Sequence, residues 1–237
     1  VTREELEEML PMSYPERAAK VLKKYLDEYD GAELLSALDK AYSKFEGDPA
    51  PLVKIDDGIY ILELWHGPTC AFKDMALTVL PYLLRKGCDI CGIKEQVLIL
   101  VATSGDTGKA ALEGFKDAEG IKIMVFYPDD GVSKMQKLQM CTQEGGNVNV
   151  VAVKGNFDDC QTAVKRIFSS EEYAKTLKEK NVILSSANSI NFGRLAPQIA
   201  YYFSSYLDLV SGGQIEMGEG IDFSVPTGNF GNILAAY

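Results

Sequence analysis

Short apolar segments alternate with helix-like segments from residue 97 onward, and this alternation is the strongest constraint on the fold. Residues 97–102 form a continuous apolar run, which is typical of a strand buried on both faces of a parallel sheet. Further strands are predicted at residues 121–127, 148–153, 181–185 and 221–225, and helices at residues 109–117, 133–142, 157–169 and 195–209. Strands joined by helices imply right-handed crossovers and a mostly parallel sheet covered by helices, which is a three-layer α/β fold.

The first part of the chain has a different pattern, because its apolar residues recur at helical spacing. Two helices are predicted within residues 16–46, separated near Gly31 and ended by the Gly-Asp-Pro sequence at residues 47–49. A strand is predicted at residues 59–64, and a helix at residues 75–84. We therefore expect a helical start that leads into the α/β region.

The composition argues against several classes of function. The net charge of −10 disfavours binding to nucleic acid or to a membrane surface, and no apolar run reaches the roughly 20 residues of a membrane span. Cys88 and Cys91 form a CxxC pair, but there is no second such pair and the only histidine is His66. We therefore predict reduced thiols, no metal site, no nucleic-acid or membrane partner, and a cytoplasmic location.

The sequence GPTCAFKD at residues 67–74 places a lysine between an aromatic residue and an aspartate. Asp74 can cap the helix that follows, so that Lys73 would lie at the positive end of the helix dipole. This position, together with partial desolvation by Phe72, should make Lys73 lose its proton more easily than a surface lysine. A neutral amine can form a Schiff base with an aldehyde. A salt bridge between Lys73 and Asp74 is the alternative interpretation.

Three turns rich in small polar residues are predicted at the carboxyl ends of strands, which is where ligands bind in open parallel sheets. They are residues 103–108, 186–194 and 228–232. The first offers hydroxyls and backbone N–H groups, the second adds Arg194, and the third has glycines that let the backbone approach a phosphate. Helix capping alone would also explain each turn, and the carboxylate of Asp106 would repel an anion unless it caps a helix or faces a cation.

A candidate Schiff-base lysine and three possible anion-binding turns in one sheet are difficult to explain by capping. Together they indicate a cofactor with an aldehyde and a phosphate, and in addition a second anionic ligand. Pyridoxal phosphate (PLP) has both groups, and it acts as an electron sink that the protein positions.

The same motifs resemble those of threonine synthase, a PLP-dependent enzyme family of the tryptophan-synthase-β fold type, also called fold type II. The matching segments are residues 67–74, 103–108, 188–194 and 226–233. The helical start resembles the longer, bacterial and fungal branch of that family. The small-molecule substrate implied by the resemblance is O-phospho-L-homoserine.

The resemblance implies a division of the chain into domains. Residues 1–74 would be the helical segment and the start of the large PLP domain, residues 75–212 a smaller α/β domain, and residues 213–237 a return to the large domain. The C-terminal part of the large domain would then be missing, so we expect the chain to be an N-terminal fragment.

The resemblance also assigns roles to individual residues. Lys73 would form the Schiff base with PLP and move protons at the substrate's Cα and Cβ. The cofactor would further be held by Asp106 and, at its phosphate, by Gly228, Asn229, Phe230, Gly231 and Asn232. The substrate carboxylate would be held by Ser104, Gly105 and Thr107, and the substrate phosphate by Asn188, Ser189 and Arg194. The implied reaction eliminates phosphate from the γ-carbon and adds water at the β-carbon to give L-threonine.

Three alternatives stay open. A serine/threonine deaminase-like PLP lyase would share the lysine and the glycine-rich turn, although its substrates carry no phosphate. A non-catalytic phosphate-binding module and a structural fragment without a ligand would both stay colourless, whereas a PLP Schiff base is yellow.

The family's partner for the pyridine nitrogen lies beyond Tyr237, so we expect this chain alone to be inactive. We also expect self-association through its exposed apolar residues Ile233, Leu234 and Tyr237.

Overall fold

The protein folds as two compact units. The computed structural model describes residues 1–188 and 191–237, so Ser189, a predicted phosphate-binding residue, lies outside the described residues. Unit 1 comprises Val1–Val79 and Phe192–Tyr237, and unit 2 comprises Leu80–Asn191.

Helices and strands alternate through most of unit 2, as the sequence pattern predicts. The helices are α1 (Arg3–Met9), α2 (Tyr14–Lys23), α3 (Gly31–Tyr42), α4 (Asp74–Leu77), α5 (Leu80–Ile90), α6 (Asp106–Phe115), α7 (Lys134–Cys141), α8 (Phe157–Ser169), α9 (Glu171–Glu179), α10 (Phe192–Ser211) and α11 (Gly231–Ala236). The strands are β1 (Leu52–Asp56), β2 (Ile59–Leu62), β3 (Gln96–Ala102), β4 (Ile121–Pro128), β5 (Val148–Val153) and β6 (Val182–Ser186).

Unit 2 contains a four-stranded parallel sheet in the order β5–β4–β3–β6. Alternate residues of β3 face opposite sides, and Leu100 and Ala102 pack against Cys160 and Val164 of α8. Helix α6 covers the other side, where Val125 of β4 approaches the backbone of the helix. Two layers of helices around a parallel sheet confirm the predicted three-layer α/β fold.

Unit 1 is built from helices and a two-stranded antiparallel hairpin of β1 and β2. The apolar faces of its N-terminal helices are buried, as their helical spacing predicts. They include Ala18, Val21 and Leu22 of α2 and Leu34, Leu38 and Ala41 of α3. The hairpin turn contains Gly58 with φ of +70°, a conformation that favours glycine.

Helix α10 belongs to unit 1, although the sequence pattern places it at the end of the smaller domain. It packs against α2 and α4. The buried Arg17 of α2 donates to the hydroxyl of Ser204 at 3.0 Å and forms an ion pair with Asp208 at 2.5 Å. The compact units change at residues 79/80 and 191/192, and the domain boundaries implied by the resemblance, at 74/75 and 212/213, stay a prediction.

Two predicted elements differ in the structure. The helix predicted at residues 75–84 is interrupted between α4 and α5, where Pro81 has no N–H to donate to the preceding turn. The strand predicted at residues 221–225 is absent, and this segment pairs with neither β1 nor β2. Helices α1 and α9 and strand β1 are additional to the predicted set.

Candidate functional site

Lys73 lies at the N-terminus of α4, as predicted, but Asp74 does not cap that helix. Lys73 is itself the N-cap residue and Asp74 is the first helical residue. The buried carboxylate of Asp74 instead accepts hydrogen bonds from the backbone N–H of Thr69 at 2.8 Å and from the Thr69 hydroxyl at 2.6 Å. A Cβ on Gly67 would lie 2.6 Å from Asp74 Oδ2, so only glycine fits there. Asp74 therefore folds the residues before Lys73 back onto the start of the helix.

The amine of Lys73 lies beside an aromatic ring. Its Nζ is 4.5 Å from the centroid of the Phe72 ring, and the residue is half-buried. A ring at this distance replaces part of the water around the amine and attracts its charged form. The arrangement places a half-buried lysine at the start of α4.

The loop of residues 103–108 follows β3 and is organised by one buried hydroxyl. Thr103 is 1% exposed, and its Oγ1 donates to the carbonyl of Gly105 at 3.1 Å. The same oxygen accepts from the N–H of Gly105 at 3.0 Å and from the N–H of Gly108 at 2.9 Å. These bonds fix the backbone of the loop and leave Ser104 exposed and Thr107 half-buried.

Asp106 is the first residue of α6 and is exposed. Its Oδ1 accepts from the N–H of the next residue, Thr107, at 3.0 Å, but it does not cap the helix, because Gly105 is the N-cap residue of α6. A carboxylate at this position is also stabilised by the helix dipole. The contact accounts for an acidic residue within a turn that is otherwise suited to anions.

The predicted phosphate-binding residues are divided between the two units. Asn188 belongs to unit 2, where its Nδ2 donates to the carbonyl of Ala102 at 3.0 Å and its Oδ1 accepts from the hydroxyl of Ser186 at 3.2 Å. The amide thus joins the end of β6 to the end of β3, directly before the 103–108 loop. Arg194 belongs to unit 1, lies in the first turn of α10 and is buried.

The glycine turn of residues 228–232 runs into the first residues of the short helix α11 and is largely exposed. A Cβ on Gly228 would meet no described atom within 4 Å, so the space around this backbone is open. Asn232 is the exception, because its Oδ1 accepts from the hydroxyl of Tyr202 at 2.8 Å and from that of Tyr201. Its side-chain oxygen therefore anchors the turn to α10, and Tyr202 also lies 3.1 Å from the Asn232 carbonyl.

A buried polar chain on α10 connects Arg194 with the glycine turn. The Nε2 of Gln198 donates to the carbonyl of Arg194 at 2.7 Å, and the Tyr201 hydroxyl lies 3.3 Å from Gln198 Oε1. The Tyr201 hydroxyl also contacts Asn232 Oδ1, and because a hydroxyl has one proton it can donate to only one of these two oxygens at a time. Burial raises the pKa of the neighbouring Tyr202, so the Tyr202 hydroxyl keeps its proton. Two of the predicted site segments in unit 1 are therefore linked.

Sequence patterns missed the residues that support the site. The sequence pattern predicts only an apolar helix around Tyr201 and Tyr202. Two adjacent tyrosines in such a helix are the signal that a polar partner for their hydroxyls lies nearby. Thr69 and Thr103 lie inside the recognised motifs, but nothing in the sequence separates a buried hydroxyl from an exposed one.

Across residues 1–188 and 191–237, every helix is too short or too polar to span a bilayer. In that same part of the chain, no group of three or more His, Cys, Asp or Glu side chains is arranged to hold a metal ion. The five cysteines are free, with Cys88 and Cys160 buried.

Comparison with known sequences gives a consistent set of relatives. Residues 45–237 match the family model described as "Pyridoxal-phosphate dependent enzyme". The human protein "Threonine synthase-like 1" is 42% identical over 98% of this chain, which spans 32% of the human protein. Threonine synthase from Pseudomonas aeruginosa is 39% identical over 100% of this chain, which spans 48% of that enzyme.

Solved structures show the same similarity. PLP-bound threonine synthase from Brucella melitensis superposes with a TM-score of 0.88 at 38% identity, covering 100% of this chain and 49% of the other. Threonine synthase from yeast has a TM-score of 0.86 at 34% identity, covering 100% of this chain and 47% of the other. The chain thus spans about half the length of these two enzymes.

The family model covers most of the chain, and the lysine segment, the 103–108 loop and the glycine turn all lie within the residues that it matches. The structural neighbours share the α/β fold and include a PLP-bound enzyme. The chain belongs to the family of pyridoxal-phosphate-dependent enzymes, and its cofactor is PLP.

Proposed function

We propose that the complete protein is a threonine synthase that converts O-phospho-L-homoserine and water to L-threonine and phosphate. The observation that carries this proposal is the match to the Brucella melitensis enzyme, which extends over 100% of the chain at 38% identity. The four motifs that resemble threonine synthase all fall inside that match. The human relative named "Threonine synthase-like 1" is 42% identical to this chain, so turnover of O-phospho-L-homoserine is the decisive test of the proposal.

The residues present fit the two reactive parts of PLP. The aldehyde needs an accessible amine, and Lys73 is half-buried beside Phe72 at a helix start. The phosphate needs exposed backbone N–H groups, and the backbone around Gly228 is open. We assign the cofactor to Lys73, Asp106 and residues 228–232, with the side chain of Asn232 serving as an anchor.

When bound, PLP supplies an electron sink for negative charge that develops on the substrate. The amine of Lys73 would take and return protons at the substrate's Cα and Cβ. Ser104 and Thr107 would hold and orient the substrate carboxylate through their hydroxyls, and Gly105, whose N–H donates to Thr103, would shape the backbone of the loop around it.

The leaving phosphate would be bound by Arg194 with Asn188 and Ser189. A guanidinium can grip a phosphate with two parallel N–H bonds, which binds the substrate and stabilises the charge on the departing group. This assignment separates the proposal from a serine/threonine deaminase-like lyase, whose substrates carry no phosphate. The net charge of −10 supports a small-molecule ligand in place of nucleic acid, and we further propose a cytoplasmic location and self-association.

The test is a direct assay of the complete protein. Incubation with O-phospho-L-homoserine should release phosphate and L-threonine in equal amounts, and Lys73→Ala should lower the rate by about 10²–10⁴-fold because proton transfer is lost. Borohydride reduction followed by peptide mapping should place PLP on Lys73, with Lys23 and Lys178 as unlabelled controls. Keto-acid formation from L-serine or L-threonine without phosphohomoserine turnover would favour the deaminase, and a colourless protein would favour a non-catalytic phosphate-binding module.

A further inference from the structure

The side chain of Gln136 on α7 lies directly against Gly105 in the 103–108 loop. A Cβ on Gly105 would lie 2.7 Å from Gln136 Cδ and 2.8 Å from Oε1, with the amide nitrogen nearest of all. Gly105 also has φ of +159°, at the edge of the range in which side chains are strained. The absence of a side chain at residue 105 therefore makes room for the amide of Gln136.

The orientation of this amide is set by a hydrogen bond. Gln136 Oε1 accepts from the backbone N–H of Ser133 at 3.2 Å, in a capping box at the start of α7. A backbone N–H can only donate, so the oxygen must face Ser133 and the NH₂ group is left for another acceptor. No side-chain or backbone oxygen in the described parts of the chain accepts from that NH₂ group.

The loop itself has few donors left for a carboxylate. The N–H groups of Gly105 and Gly108 donate to Thr103 Oγ1, and the N–H of Thr107 donates to Asp106. The exposed carboxylate of Asp106 would also repel an anionic ligand. A further neutral donor next to the loop would offset both effects.

Helix α7 holds this donor in place because it contacts the loop at a second point. Met140, the one buried residue among those of α7, lies against the end of the loop. A Cβ on Gly108 would lie 2.7 Å from its Sδ. Gln136 and Met140 are four residues apart and so lie on the same face of the helix. The amide is therefore supported by two contacts and not by the capping box alone.

We propose that Gln136 is a further substrate-recognition residue, whose amide NH₂ donates to the carboxylate of the amino-acid substrate held by the 103–108 loop. The inference rests on the proposed function, because it assumes that this loop receives the substrate carboxylate. It predicts that Gln136 contributes to the selection of amino acids over amines, a role that helix capping would not produce.

Gln136→Glu in the complete, PLP-loaded protein separates the two roles. Glutamate keeps an oxygen for the Ser133 N–H and is a favoured residue at this position of a capping box, so the stability of α7 should not fall. The NH₂ group is replaced by a charged oxygen, so the affinity for L-threonine, measured from the absorbance change of the cofactor, should fall by about tenfold or more. The affinity for 1-aminopropan-2-ol, which is threonine without its carboxylate, should stay the same.

Gln139→Glu is the matched control, because it introduces the same charge three residues further along the same helix. It should leave the affinities for both ligands unchanged. Equal losses for L-threonine and 1-aminopropan-2-ol, equal effects of the two substitutions, or unchanged threonine binding in Gln136→Glu would each overturn the inference. A wild-type protein that takes up PLP but binds no amino acid would overturn the proposed function, and this inference with it.

Discussion

The 103–108 loop and the glycine turn of residues 228–232 are both predicted to bind anions, yet they are built in different ways. The loop is held from within by the buried hydroxyl of Thr103 and covered by Gln136. The turn is exposed and depends on one side chain, Asn232, that reaches the tyrosines of α10. Similar glycine-rich sequences therefore produce one segment that is fixed from within and one whose position is set from outside.

The difference has consequences for catalysis. A preorganised loop binds its ligand without having to order its own backbone, so its interactions are available at full strength. The turn has open space around Gly228 and can accept a bulkier group, which suits the phosphate of a cofactor. Mutations should therefore act on the fold at the loop and mainly on the ligand at the turn.

Thr103→Val should have the largest effect on stability. It removes the acceptor of the buried Gly105 N–H, whereas the Gly108 N–H keeps the Gly105 carbonyl as an acceptor at 3.1 Å. A buried unsatisfied group costs about 1–3 kcal/mol, so we expect a loss of up to about 3 kcal/mol in the free energy of unfolding. Urea denaturation of the complete protein measures this. Thr103→Ser keeps the hydroxyl and serves as the control. If Thr103→Ser loses as much free energy of unfolding as Thr103→Val, the hydrogen bonds of the hydroxyl do not hold the loop.

The two glycines give the most direct comparison of the loop and the turn. Gly105→Ala should destabilise the protein by about 1–3 kcal/mol, because its backbone has φ of +159° and the end of the Gln136 side chain has to move away from the new methyl group. Gly228→Ala should change the free energy of unfolding by less than about 0.5 kcal/mol, since nothing surrounds that position. Denaturant titration of both variants measures these changes. Equal losses in the free energy of unfolding would show that the loop and the turn do not differ in how they are held.

Tyr202→Phe tests whether the turn is positioned by α10. The substitution removes a hydroxyl that donates to Asn232 Oδ1 at 2.8 Å, which should cost about 1 kcal/mol in PLP affinity, measured from the absorbance of the bound cofactor. Tyr206→Phe removes another hydroxyl from the same helix, one that accepts from the N–H of Gly218 at 2.7 Å, away from the turn. If both variants bind PLP equally well, the anchoring of the turn by Tyr202 has no role in holding the cofactor.

The sequence predicts the loop and the turn equally well as motifs, but it does not predict the difference between them. The strands of unit 2 follow from apolar runs such as residues 97–102, because a strand buried on both faces has no polar residues to obscure it. The role of Asp74 could not be predicted, because capping α4 and binding Thr69 require the same residue type. Gln136 was missed because only the folded chain brings α7 next to Gly105.

Chain ends and short elements were predicted less well, although some carried a local signal. Thr2 and Glu5 have the spacing of a capping box, and the structure places both capping-box bonds at the start of α1. The Asp57-Gly58 pair is a hairpin signal between β1 and β2. By contrast, residues 221–225 have a strand-like composition, but a strand also needs a partner, and composition does not indicate whether one is present.

The smallest effect on stability is expected at the exposed apolar residues next to the turn. Ile233, Leu234 and Tyr237 are exposed, as the sequence predicts, with Leu234 at 57%. Leu234→Ser should therefore change the free energy of unfolding by no more than about 0.5 kcal/mol, because little packing is lost. It should nevertheless shift the 237-residue chain from oligomer toward monomer in sedimentation experiments, since a contiguous apolar patch favours association.

Leu138→Ser is the matched control, because Leu138 of α7 is 49% exposed and lies in unit 2. A chain that sediments as a monomer without either substitution, or that responds equally to both, would show that this patch does not drive association.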